Sequence, residues 1–221
     1  MEDVWFIGPL MIKEKWILYV VAALVSYLVV KVLTKVKGID PRVIESVWNA
    51  AMVFLLVWKG SYAVFHLFQT FQNPIALLYF TGGEKGVVLG FIAVLLYLFL
   101  RSKKEALGFS VYMDMTLLTL LTALCTYTLG RLMLDQPFSI VWLFEIVLYL
   151  SLLAYWVVKY KADKPLWPEI LMWFSLGSIA LSYYKPQIPI LLGLSFSQWT
   201  YIVVSIIAII LSHKKTNFMK S

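Results

Sequence analysis

Gly82-Gly83-Glu84-Lys85-Gly86-Val87-Val88-Leu89-Gly90 breaks a very apolar chain with four glycines and two opposite charges. Charges at the point where a bilayer-crossing helix begins need a purpose, because hydrocarbon solvates neither an ion nor an open backbone. Taken as a loop that ends at Val87, the run leaves the following helix, residues 87–100, short for a span. Residues 75–80 are then expected to form a partly inserted, re-entrant segment that the glycines complete.

The flanking sequence sets the class. Of 221 residues, 62% are hydrophobic and 14% charged, with a mean hydropathy of +0.84, outside the balance of a soluble globular domain. A spanning helix needs about 20 mostly apolar residues. Such runs, separated by short charged or proline-containing joints, predict helices at 16–34, 44–68, 87–100, 113–134, 140–158, 170–184 and 196–211. The expected fold is therefore all-α: a polytopic membrane bundle of about seven transmembrane helices forming one integral membrane domain over residues 1–221. The sixth helix is short and is expected to tilt or to thin the bilayer locally.

The basic residues give an orientation. Lys31, Lys35, Lys37 and Arg42 follow the first helix, and Arg101, Lys103 and Lys104 the third. Lys159, Lys161 and Lys164 follow the fifth, and Lys214, Lys215 and Lys220 the seventh. In a seven-span arrangement all of these fall on one side, which the positive-inside rule makes cytoplasmic. The N-terminus is then outside and the C-terminus cytoplasmic. The acidic start, Met1-Glu2-Asp3, does not read as a cleavable signal, so the first helix is expected to stay. Topology and anionic lipid account for the net charge of +7, and no nucleic-acid partner is expected.

Several familiar chemistries find no residues. The single Cys125 excludes an internal disulfide and reads as a small packing residue. His66 and His213 have no second ligand at metal spacing, so no metal and no cofactor is expected. A serine elbow, a phosphate loop and a dinucleotide fingerprint are all missing. The stripe of Thr116, Thr119, Thr122 and Thr126 reads as a helix-packing face.

The informative residues are charges within the spans. Lys59 lies inside the second helix with Tyr62 and His66 on the same face, and Arg131 stands near the outer end of the fourth. Glu145 lies in the fifth, sharing a face with Trp142 and Tyr149. A lone charge near the bilayer centre costs roughly 2.5–3.5 kcal/mol, so these groups should face the interior and pair or line a wet cavity. Buried ion pairs that fix register are the plainer explanation, yet such pairs barely break even energetically. The concentration of cations therefore favours an anion-binding cavity. Lys13, Lys15 and Lys185 read as interfacial or turn residues.

The order of short motifs resembles the bacterial prolipoprotein diacylglyceryl transferase family. The likeness begins with Ile7-Gly8-Pro9 and Tyr19, and Lys59-Gly60-Ser61-Tyr62 is similar to the family's Arg-x-Gly-Tyr. Asn73-Pro74 and Gly82-Gly83 follow. Lys85-Gly86-Val87-Val88-Leu89-Gly90 resembles His-Gly-Gly-Leu-Ile-Gly, and Gly130-Arg131-Leu132 resembles Gly-Arg-x-Gly-Asn-Phe. Phe144-Glu145 resembles Tyr-Glu, and Ser197-Gln198 resembles Gly-Gln. The resemblance implies a seven-span protein of the bacterial plasma membrane, acting in lipoprotein biosynthesis. The family moves the diacylglyceryl group of phosphatidylglycerol onto the lipobox cysteine of a prolipoprotein. Lys85 stands where the family has its histidine, Lys15 at a functional tyrosine, Leu134 at an asparagine and Ser178 at an arginine. The outer head domain is reduced to residues 135–139.

That pattern keeps anion-binding groups and removes the proton-transfer group. Histidine ionises near pH ~6.5 and suits deprotonation of a thiol, whereas lysine ionises about four pH units higher. The expected function is a divergent family member that holds phosphatidylglycerol, or a lipidated peptide, without catalysis. Lys59, Tyr62, Lys85 and Arg131 would contact the phosphate and Glu145 would orient Arg131. One alternative is an active diacylglyceryl or acyl transferase with Lys85 or His66 as base. Another is a membrane subunit or assembly partner of a transport system, gripping a second membrane protein.

Overall fold

The computed structural model describes residues 4–7, 10–72, 82–134, 138–161, 164–185, 189 and 192–218. Val4–Ile7 (β1) and Leu10–Lys13 (β2) form an antiparallel hairpin with Trp5 opposite Ile12. The rest of the described architecture is helical: α1 Glu14–Lys37, α2 Pro41–Phe65, α3 Leu67–Gln72, α4 Gly83–Glu105, α5 Phe109–Leu134, α6 Ile140–Lys159, α7 Trp167–Ser182 and α8 Phe196–Phe218.

Among the described residues, five helices are long and apolar enough to cross a membrane: Trp16–Lys37 of α1, Pro41–Phe65, Lys85–Glu105 of α4, Phe109–Leu134 and Ile140–Lys159. The apolar part of α8, Phe196–Ser212, is shorter. With 16 residues, α7 rises only about 24 Å against a hydrocarbon core of about 30 Å. Many of the large apolar side chains on these helices are exposed, Leu24, Leu56, Leu96 and Val147 among them, as expected of surfaces that face lipid.

The glycine-rich run corrects the sequence expectation. The third long helix begins at Gly83, not Val87, and has 23 residues, so it reaches spanning length without help from residues 75–80, which lie outside the described residues. Gly82, Gly86 and Gly90 recur every fourth residue and form one face. A methyl group on Gly82 or Gly86 would collide with Ser61 Oγ, and one on Gly90 would come within 2.8 Å of Phe54. These glycines let α4 approach α2 closely, the small-residue packing of membrane helices. Gly82 N–H also donates to the Trp58 carbonyl at 3.1 Å.

Two helix ends differ as well. The second long helix stops at Phe65, and His66 breaks it at φ −131°, ψ 47° while its N–H donates to the Tyr62 carbonyl. The sixth predicted helix ends at Ser182.

The chain divides into two compact units, residues 34–115 and residues 1–33 with 116–221. In the first, α2 packs on α4 around Val43, Ala50 and Leu98. Glu105 ties its helices together. The carboxylate accepts from Tyr112 Oη at 2.5 Å and from Ser46 Oγ at 3.3 Å, and pairs with Arg101 at 3.1 Å. In the second unit, Tyr19 of α1 stacks on Tyr127 of α5 with centroids 5.0 Å apart. There α7 packs between α6 and α8, and Phe174 touches Tyr149 on one side and Tyr201 on the other.

Candidate functional site

The larger unit holds a polar cavity of about 200 Å³ whose lining includes Glu145 and Tyr149 of α6, Ser178 and Ser182 of α7, and Tyr201 of α8. Lys185, just past the end of α7, and Ser197 complete its polar wall. Two antiparallel helices joined by a short loop return the chain to its starting level. The beginning of α6 and the end of α7 therefore meet there.

The charges at this level satisfy each other. Lys185 Nζ is bonded to Glu145 Oε1, with 40% of the lysine side chain exposed and 13% of the carboxylate side chain. The lysine is anchored at the rim and the carboxylate lies deeper. Tyr201 and Ser178 both line this wall. Behind the wall, the buried Gln198 accepts from Ser195 N–H at 2.9 Å and donates from Nε2 to Ser182 Oγ at 3.1 Å. Gln198 thus fixes α8 against α7 and holds one hydroxyl of the lining in place.

Arg131 is near the same face of α6. Its guanidinium carbon lies 4.6 Å from the Trp142 ring centroid, a cation–π contact, and Trp142, Glu145 and Tyr149 recur at helical spacing. Arg131 also closes the last turn of α5, where a cation complements the negative end of the helix dipole.

The remaining predicted site residues belong to the other unit. Tyr62 is buried and its ring lies 4.8 Å from that of His66, which is exposed. Lys59 is half-buried. Lys85 is exposed in the first turn of α4, with Nζ 5.8 Å from the Phe65 ring. Among the described residues no cluster of histidine, cysteine and carboxylate side chains is arranged to hold a metal.

No protein-family model matches the chain, and no curated protein matches it. The site therefore rests on its own geometry.

Lys185 lies in a turn as expected, but its side chain pairs with Glu145 instead of standing alone at an interface. Asp114, 2% exposed within α5, was also passed over, although an acid enclosed by an apolar stretch is itself a marker.

Proposed function

We propose that the protein is a membrane-embedded binding protein that holds the head group of a phospholipid among α6, α7 and α8 without transferring it. The observation that carries this reading is the hydroxyl-lined cavity around Glu145 and Lys185, built into helices whose other faces are apolar. At ~30 Å³ per water its volume corresponds to roughly seven waters, enough for a head group and too little for acyl chains. The chains would remain in the bilayer. The phosphate would bind Lys185 and the surrounding hydroxyls.

The likeness to prolipoprotein diacylglyceryl transferases supplies the finer reading: a divergent member in a bacterial plasma membrane, with seven spans, an outer N-terminus and a cytoplasmic C-terminus. Phosphatidylglycerol is the lipid that likeness implies. Lack of transfer follows from the chemistry at Lys85. This exposed lysine stands where the family has histidine and lies against Phe65, so the imidazole that would take the thiol proton is missing at that position.

Incubating the purified protein with labelled phosphatidylglycerol and a lipobox peptide tests the proposal. The peptide cysteine should keep its mass while the protein retains phospholipid through purification. A mass gain on that cysteine that depends on Lys85 or His66 would establish the transferase alternative. A lipid-free protein bound in fixed ratio to another membrane protein would establish the subunit alternative.

A further inference from the structure

Resting on the phospholipid reading above, we propose that the cavity selects a zwitterionic head group, with a primary ammonium and a phosphodiester, over a purely anionic one. The selecting feature is the Glu145–Lys185 pair. Among the described residues that line the cavity, these two carry the formal charge, one of each sign; the others contribute mainly hydroxyls. The lining is therefore balanced, and a ligand that matches it must be balanced too.

The exchange of partners shows why. A phosphodiester alone would take Lys185 from Glu145 and leave a largely buried carboxylate facing a second anion. An unpaired charge in a poorly solvated site is strongly unfavourable, and a like charge beside it adds to the penalty. A phosphoethanolamine-type head group replaces both partners at once. Its ammonium donates to Glu145 as Lys185 Nζ does, and its phosphate accepts from Lys185. No ion loses a counter-ion in the exchange.

The neutral part of the lining is compatible with both ends of such a ligand. The hydroxyls of Tyr149, Ser178 and Tyr201 can each donate to a phosphate oxygen or accept from an ammonium, whereas Ser182 Oγ already donates to the Ile179 carbonyl and accepts from Gln198. Glu145 also sets the kind of amine. Its carboxylate accepts hydrogen bonds, which a primary ammonium gives and a trimethylated one does not. A glycerol head group of the phosphatidylglycerol type offers Glu145 only hydroxyls, so once its phosphate has taken Lys185 the carboxylate charge is left without compensation.

The test is competition between lipids on the full-length protein. Protein stripped by detergent exchange is placed in mixed micelles of equimolar phosphatidylethanolamine and phosphatidylglycerol, and the retained lipid is counted by native mass spectrometry. The wild type should retain phosphatidylethanolamine over phosphatidylglycerol by about tenfold, the scale of one charge-assisted hydrogen bond. In Glu145→Gln the preference should fall to about unity. A wild type that retains phosphatidylglycerol equally or better would overturn the inference and leave the phospholipid reading intact; retention of neither lipid would remove both. A preference that survives unchanged in folded Glu145→Gln would also overturn it. The wild-type ratio decides the matter even if that variant does not fold.

Discussion

Lys185, in the turn that ends α7, is bonded through Nζ to the carboxylate of Glu145 in α6, 40 residues earlier in the chain. The bond closes the α6–α7 hairpin at one end. At the other, Tyr155 Oη donates to Glu169 Oε2 at 2.8 Å, so the two helices are fastened at both ends by polar contacts through a carboxylate.

Lys185→Met removes one partner and leaves a mostly buried carboxylate. It should destabilise the protein by about 1–3 kcal/mol, measured by thermal unfolding in detergent. Adding Glu145→Gln should recover part of that loss, because the unpaired charge disappears. Strictly additive effects in the double-mutant cycle would show that the two side chains are not coupled.

Gly86→Ala should destabilise by about 1–3 kcal/mol through overpacking. The new methyl would strike Ser61 Oγ and come within 3.1 Å of Trp58, and turning Ser61 away would break its 2.7 Å bond to the Trp58 carbonyl. Gly60→Ala is the control. It meets nothing within 4 Å and should be neutral or stabilising by up to about 1 kcal/mol. Equal unfolding temperatures for the two variants would contradict the packing role of the glycine stripe.

Tyr112→Phe deletes the 2.5 Å hydrogen bond to Glu105 while keeping the fully buried ring. A loss of about 1.5–3 kcal/mol is expected, the range for hydrogen bonds to charged groups. Glu105→Gln should lose less than the truncation Glu105→Ala, since an amide oxygen at the Oε2 position still accepts from Tyr112 while the NH2 can donate to Ser46 Oγ. Unfolding midpoints of the three variants provide the check.

Asp40 predicts a limited acid sensitivity. Hydrogen bonds from the Arg42 side chain and backbone hold its carboxyl below the usual carboxylate range, and it caps α2. A lowered folded-state value means that the stabilisation is complete above the unfolded-state value of ~3.9 and is lost as pH falls through the lower folded-state value. This contribution should be constant from pH 5 to 8 and fall away below about pH 4. Asp40→Asn should flatten that part of the stability profile; an unchanged acid limb in the variant would rule the contribution out.

Helix positions were legible because apolar runs ended by charges and prolines are a local signal. The fourth and fifth predicted helices, 113–134 and 140–158, match α5 and α6 to within a few residues. The glycine run was misread because glycine is a helix breaker by local propensity, whereas here contact with Trp58, Ser61 and Phe54 decides. That contact is invisible along one strip of sequence. Glu145 was legible as a carboxylate out of place, but its partner was not: lysine after a helix normally marks an interface, and only the return of α7 alongside α6 brings Lys185 to it. Helices surrounded by lipid carry apolar residues on every side, so polarity does not report which face turns inward. For that reason Tyr201 and Ser182 were not singled out.

The most direct measurement is a structure of the protein in lipid nanodiscs containing phosphatidylethanolamine and phosphatidylglycerol. Head-group density within hydrogen-bonding distance of Lys185 and the Ser178 and Tyr201 hydroxyls, with acyl chains running out into the bilayer, is the predicted result. A cavity that contains only water, with Glu145 and Lys185 still bonded to each other in a membrane full of lipid, would contradict it.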